Sequence, residues 1–334
     1  MEAVRLDPID EYGHTPSDDS NFNESVYSNA WDPKAKLGGW MRLGNRINEG
    51  HAELSVCMYL PDGRVACQFL RPEIDTNEKH SAGGLDYQVV EPFKAVNMHY
   101  RGELMVLDDP EVLRNPAELF KTAPRVDGEV IFNHTGVSPM HGGEPMEPGQ
   151  ETMYGRDFSL GHFNQHMRTT GSLRVGDESW GIDGFGWRDH SWGPRYWTNI
   201  NFYRLFIANF GPDRGFMVLK RTDRQNVVHR KGVLLFDGEY EEVIDIDVMT
   251  EWTDAKDPAA VTIGVRTEKR AVRISGEIIT MVPLRNRRKI GDETLGCRIA
   301  EGFTQWRWDD GREGIGITEY IEFLEDGEPV GYPL

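Results

Sequence analysis

The chain has 334 residues and sets 37 basic against 55 acidic side chains, a formal net charge of −18. That surplus is spread along the whole length, so it repels both a nucleic-acid backbone and an anionic lipid surface. There is no run of about 18 apolar residues, and the N-terminus lacks the basic start and apolar stretch of a secretory signal, so a cytoplasmic protein with no membrane span is expected.

Residues 1–25 are rich in Asp, Ser, Asn and Pro and show no apolar period, which predicts an acidic, polar arm on the surface. From Tyr27 onward the chain reads as short strands. Between His51 and Leu60, Ala52, Leu54, Val56, Met58 and Leu60 fall on one face, the alternation of a half-buried strand. Similar strands are expected at 65–70, 95–107, 129–134, 201–210, 215–221, 232–236, 260–265, 271–282 and 314–324. Hairpin turns are signalled by Pro61-Asp62-Gly63, Gly176-Asp177, Gly211-Pro212-Asp213, Asp237-Gly238, Asp310-Gly311 and Asp326-Gly327. Helical signal is confined to Asp109 as N-cap with Pro110 following, and Pro116 should end that helix within a turn or two. So many strands exceed one small sandwich. The expected fold is all-β, two packed antiparallel barrels or sandwiches, spanning 26–180 and 181–334 with a junction near 175–185. Cys57, Cys67 and Cys297 form an odd set without CxxC spacing and read as reduced thiols.

Chemistry concentrates between Trp180 and Trp197. Trp180, Trp187, Trp192 and Trp197 are interleaved there with Arg188, Asp189, His190, Arg195 and Tyr196. Aromatic walls shelter an apolar ligand or a developing cation. Among them a carboxylate loses hydration and its pKa tends to rise, while a nearby arginine opposes that shift, so Asp189 is a candidate proton donor. The bland reading is a buried ion-pair network of Arg188, Asp189 and Arg195. Gly184-Phe185-Gly186 and Gly193-Pro194 would fix the segment as a rigid corner between the two β units.

Pattern conflicts add further candidates. Glu319 shares a strand face with Ile315, Ile317, Ile321 and Phe323, and Arg204 shares one with Phe202, Phe206 and Phe210, so an Arg204–Glu319 pair would satisfy both. Trp40 and His99 are candidate cavity-lining residues. His162 and His166 share a face with Arg168, which disfavours a cation there, so no metal is expected. A dinucleotide fingerprint, a phosphate-binding loop and a G-x-S-x-G elbow are all missing, so no cofactor is expected.

The stretch Ile182-Asp183-Gly184-Phe185-Gly186-Trp187-Arg188-Asp189-His190-Ser191-Trp192-Gly193-Pro194-Arg195 resembles the signature of the carotenoid 1,2-hydratase (hydroxyneurosporene synthase) and AttH-like superfamily. The segment from Glu301-Gly302 through Trp306 to Gly316-Ile317-Thr318-Glu319-Tyr320 is similar to the same group's C-terminal pattern. The resemblance implies two lipocalin-like β domains and a substrate class of isoprenoid or polyene chains. It makes Asp189 the acid and Trp187 and Trp192 the cation-stabilising walls. The leading expectation is therefore a cofactor-independent lyase or isomerase, hydratase- or cyclase-like, acting on an apolar isoprenoid or steroid-like molecule. In it Asp189 moves the proton, His190 or Tyr196 positions water, Arg188 or Arg195 orders the carboxylate, and Trp40, Trp197, His99 and Arg204 line the ligand. The alternative is a non-catalytic lipocalin-like carrier, which needs the walls and not the acid. The expected partner is a small apolar molecule, and a homodimer is compatible with the sequence.

Overall fold

The computed structural model describes residues 4–147, 149–156, 158–196, 200–290 and 293–334, with the backbone alone at 286–290 and 293–295. The chain forms two β units, Met1–Val106 with Pro124–Trp197, and Leu107–Ala123 with Thr198–Leu334.

Unit 1 contains β1 (Val4–Arg5), β2 (Phe22–Asp32), β3 (Leu37–Arg46), β4 (His51–Tyr59), β5 (Val65–Leu70), β6 (Ser81–Ala82), β7 (Leu85–Glu91), β8 (Ala95–Leu107), β9 (Arg125–Gly136), β10 (His141–Pro145), β11 (Gly161–Val175) and β12 (Glu178–Pro194). The sheet closes into a barrel through β2-β3-β4-β5-β8-β9-β11-β12, with β10 and β1 extending from β11 and with β7 and β6 extending from β8. Closure removes the exposed strand edges that an open sheet would leave. The alternating residues of β4 point inward as expected, with Ala52, Leu54, Val56, Met58 and Leu60 in the core beside Val26, Met41, Val130 and Phe132. Cys57 and Cys67 face each other across β4 and β5 as buried free thiols. Burial pushes the Cys67 thiol up to about 12.

Unit 2 contains β13 (Ile200–Asn209), β14 (Arg214–Asp223), β15 (Val228–Phe236), β16 (Glu239–Trp252), β17 (Pro258–Thr267), β18 (Ala271–Ile290), β19 (Glu293–Trp308), β20 (Glu313–Glu325) and β21 (Glu328–Pro329). Here spatial order equals sequence order, and β13 pairs with β20 to close an up-and-down barrel. Its core is aromatic, with Phe206, Phe216, Trp306 and Tyr320 meeting edge to face and Trp308 tilted against Phe216.

All six expected turns connect paired strands. At Asp237-Gly238 and Asp326-Gly327 both residues have positive φ, the conformation a tight antiparallel connection requires. Among the described residues no helix is long and apolar enough to cross a membrane.

Two expectations need correction. Residues 1–25 are not a loose arm: β1 pairs with β10, Asp10 and Glu11 are buried, and Phe22 onward is a barrel strand. Lack of apolar period misled because this segment docks through charge. The expected division at 180/181 falls inside β12, since Gly176-Asp177 is an ordinary hairpin turn, and the units part after Trp197. Asp109 does cap a short 3-10 helix, Pro110–Arg114, by accepting from the Glu111 N–H at 3.0 Å. That helix ends before Pro116, within the turn or two expected, and Pro116 opens a separate one, α1 (Pro116–Thr122), because its missing N–H costs nothing at a first helical position.

Candidate active site

The segment that resembles a rigid corner in sequence is one continuous strand, β12, paired on one side with β11 and on the other with β2. Its glycines permit that double pairing. A Cβ on Gly184 would lie 1.9 Å from the Trp31 carbonyl, and one on Gly186 1.9 Å from the Asn29 carbonyl. Because side chains alternate along a strand, the motif divides. Arg188, His190 and Trp192 point into the barrel with Val26 and Ala30, whereas Trp187, Asp189 and Ser191 lie on its outer face.

The inward set belongs to a charged network at the barrel mouth. Arg188 is fully buried and donates to both oxygens of Glu11, Nη1 to Oε2 at 2.6 Å and Nη2 to Oε1 at 2.8 Å. Gln165 Oε1 accepts from its Nε and Nη2, and Tyr87 lies 3.3 Å from Nη1. Glu24 lies at the centre of a second group. It accepts from His14 Nδ1 at 2.7 Å, His190 Nε2 at 2.8 Å and Asn77 Nδ2 at 2.8 Å. Burial alone would raise the Glu24 pKa, yet the two histidines hold it well below the usual carboxylate range. His14, stacked on Trp192 at 3.9 Å, is raised in turn because Glu24 and Asp10 outweigh its own desolvation. His80 stands edge-on to His190 and is pushed down to about 3, mainly by burial. The ligand atoms of His14, Glu24 and His190 lie within 4.8 Å of one another, close enough to hold an ion. Each is already engaged in the hydrogen bonds just described.

The outward set is differently equipped. Cross-strand pairing places Asn164, Asp189, Tyr27 and Arg42 in one row across β11, β12, β2 and β3. His162, Ser191 and Ser25 form the row on one side, and His166, Trp187, Asn29 and Trp40 the row on the other. Asp189 keeps 18% of its side chain exposed, and His162 Nε2 lies 3.7 Å from its Oδ2. Burial holds the His162 imidazole below its ordinary pKa, with Asp189 pulling the other way, so a neutral base stands beside a reachable carboxyl group. Tyr154 packs edge-on against His162 at 4.9 Å, and His166 against Trp187 at 4.6 Å. Trp40 stacks on Tyr27, and among the described residues its buried indole N–H finds no acceptor. Arg195 follows the strand and donates to Ser191 Oγ at 2.8 Å.

The remaining expected residues fall elsewhere. His190 and Trp192 are on the wrong face of β12 to act with Asp189, and Arg188 is neutralised by Glu11. Tyr196 is half-buried, and Trp197 lies outside the described residues. His99 faces outward on β8, 2.9 Å from Glu129 and 44% exposed. Arg204 lies inside the unit 2 barrel and pairs with Glu322 at 2.7 Å, not with Glu319. The register sets Arg204 opposite Tyr320, and Glu319 points to the other face of β20 beside Glu301. Burial and Glu319 raise the Glu301 pKa. The residues that pattern reading passed over are Tyr154, Tyr27 and Ser191, while His162 was weighed only as a metal ligand.

A family model described as a domain of unknown function (DUF7064) matches residues 7–323. No curated protein matches the sequence. Among solved structures, NE1406 of Nitrosomonas europaea, provisionally designated AttH, superposes with a TM-score of 0.65 at 13% identity, covering 97% of this chain and 98% of that one. Kievitone hydratase from Nectria haematococca gives 0.56 at 10% identity over 91% and 90% of the two chains. CghA gives 0.59 at 11% identity over 97% of each. At such identities the likeness establishes the fold, which agrees with the resemblance carried by the β12 motif.

Proposed function

The chain belongs to the DUF7064 family, and we propose that it is a cofactor-independent lyase or isomerase in which Asp189 and His162 transfer the proton. The observation that carries this reading is the pairing, at 3.7 Å, of a partly exposed carboxyl group with a buried imidazole on a face rich in aromatic rings. A carboxylic acid at Asp189 protonates a double bond of the substrate. The π faces of Trp40, Trp187 and Tyr27 stabilise the positive charge that develops. His162, held neutral by its burial, takes the proton that a water molecule releases on attack or that leaves a neighbouring carbon. These roles replace His190 and Trp192, which the strand turns away. That the same fold includes a protein named as a hydratase supports the reaction class. The aromatic rings set among the polar side chains of that face, Trp40, Trp187, Tyr27 and Tyr154, favour an isoprenoid or steroid-like substrate.

The test is incubation with a panel of polyprenyl and steroid compounds in deuterated water, followed by mass spectrometry. The native protein is expected to introduce deuterium at carbon, and the folded Asp189→Asn variant is expected to introduce none. Equal incorporation by the variant removes Asp189 from the mechanism, and tight binding without incorporation by either protein favours a carrier.

A further inference from the structure

Arg195 is a buried guanidinium, 9% exposed, in unit 1. Its Nη2 donates to Ser191 Oγ at 2.8 Å, its Cζ lies over the Phe158 ring, 4.2 Å from the centroid, and among the described residues its Nε finds no acceptor. Among the described residues no carboxylate stands within ion-pair distance of it. Five other buried arginines differ in this respect. Arg46 meets Glu49 and Glu53, Arg188 meets Glu11, Arg204 and Arg298 meet Glu322, and Arg214 meets Asp310. Taking a cation out of water without an opposing charge is costly, and proteins seldom leave one so unless a ligand supplies the charge.

We infer that Arg195 binds an anionic oxygen of the ligand, so that the substrate is an apolar molecule with a carboxylate or enolate head rather than a bare hydrocarbon. Three features of the site agree. The arginine is held in place by Ser191, which shares its strand face with Asp189 two residues away, roughly 7 Å along β12. A head group on Arg195 therefore lays the adjoining carbons toward the carboxyl group. Burial first, and then the positive potential of Arg42 and Arg46, push the Arg195 pKa down to about 9 against the pull of the more distant Asp189, which leaves it a cation at neutral pH. The guanidinium fork matches a carboxylate geometrically and forms its strongest bonds with one. The inference takes its location from the acid–base reading above, while binding of the head group needs no turnover.

Farnesoic acid and its methyl ester are suitable probes, with affinities measured by calorimetry. The acid is expected to bind the native protein about tenfold or more tightly than the ester, the difference made by a hydrogen bond to a charged group. Arg195→Met should abolish that preference, Arg195→Lys should keep part of it, and Asp189→Asn should retain it. Equal affinity of acid and ester for the native protein overturns the inference. An undiminished preference in folded Arg195→Met does the same. Should Arg195→Met fail to fold, the native ratio and Arg195→Lys decide, a preference as large in Arg195→Lys as in the native protein counting against the bidentate contact. Loss of turnover in Asp189→Asn bears on the proton transfer and leaves this result untouched.

Discussion

Arg188 and Asp189 are adjacent in sequence and occupy opposite faces of one strand. The expected ion-pair network therefore separates into a buried pair, Arg188 with Glu11, and the pair proposed to transfer the proton, Asp189 with His162. Their substitutions should behave differently. Glu11→Ala strands the Arg188 charge in the barrel mouth and is expected to cost about 3–5 kcal/mol of stability, read from urea midpoints. Asp189→Asn preserves shape at a partly exposed position, so its midpoint should stay within about 1 kcal/mol while activity disappears. A comparable loss of stability in both variants would place Asp189 in the scaffold. Asp189 stands out in the sequence by its aromatic company, but the side chain it faces does not, because a run of residues suggests that neighbours in sequence cooperate. The signal was present nonetheless. A two-residue turn at Gly176-Asp177 sets Val175 opposite Glu178, and counting outward from there brings Asn164 opposite Asp189 and His162 opposite Ser191.

At the scale of the element, β12 depends on backbone approach from two neighbours. Gly186→Ala would drive a methyl group against the Asn29 carbonyl and disturb the bond from the Trp187 N–H to Asn29 Oδ1 at 2.9 Å. A loss of about 1–3 kcal/mol is expected. On the same strand, a methyl group added at Gly181 would meet nothing within 4 Å, and Gly181→Ala should be neutral or slightly stabilising. Similar effects from both would show that strand propensity, not close packing, governs the site. The hairpins themselves were readable because Asp-Gly and Gly-Asp turns impose a local geometry. The division between units was not, because an expected boundary and a hairpin turn share the same residues.

For the whole molecule, the ionisable groups combine into a dependence on pH. His80 and His134 are pushed down to about 3 and His162 is also lowered, chiefly by burial, while His14 is raised. Below the ordinary histidine value of 6.5 the unfolded chain binds protons that the three lowered histidines refuse, so each loses stability as pH falls. His14 contributes in the opposite direction, its stabilisation being complete below 6.5 and lost as pH rises through its folded value. Below 6.5 His14 is protonated in both states and adds no slope, while Glu301, its pKa raised by burial and Glu319, gains stability as pH falls; the three lowered histidines against that one group leave a net decline beginning near pH 6.5, with a limiting slope of about 1.4 kcal/mol per pH unit for each proton. Urea midpoints measured from about pH 7.5 to about pH 5 should show this, and His134→Gln should make the slope shallower. A flat profile above about pH 5 would contradict the burial of these rings. None of it was legible in sequence, since every histidine here acquires its environment from strands distant along the chain.

The segment Leu107–Ala123 belongs to unit 2 although it is made in the middle of unit 1. Arg114, on its 3-10 helix, pairs with Asp257. During synthesis this piece emerges from the ribosome long before its partners and must wait, tethered at both ends to a barrel that itself stays open until β12 supplies the mate of Glu11. Neither barrel can be cut out at a single point, and a fragment beginning at Thr198 should refold more slowly and less stably than one to which residues 107–123 have been rejoined.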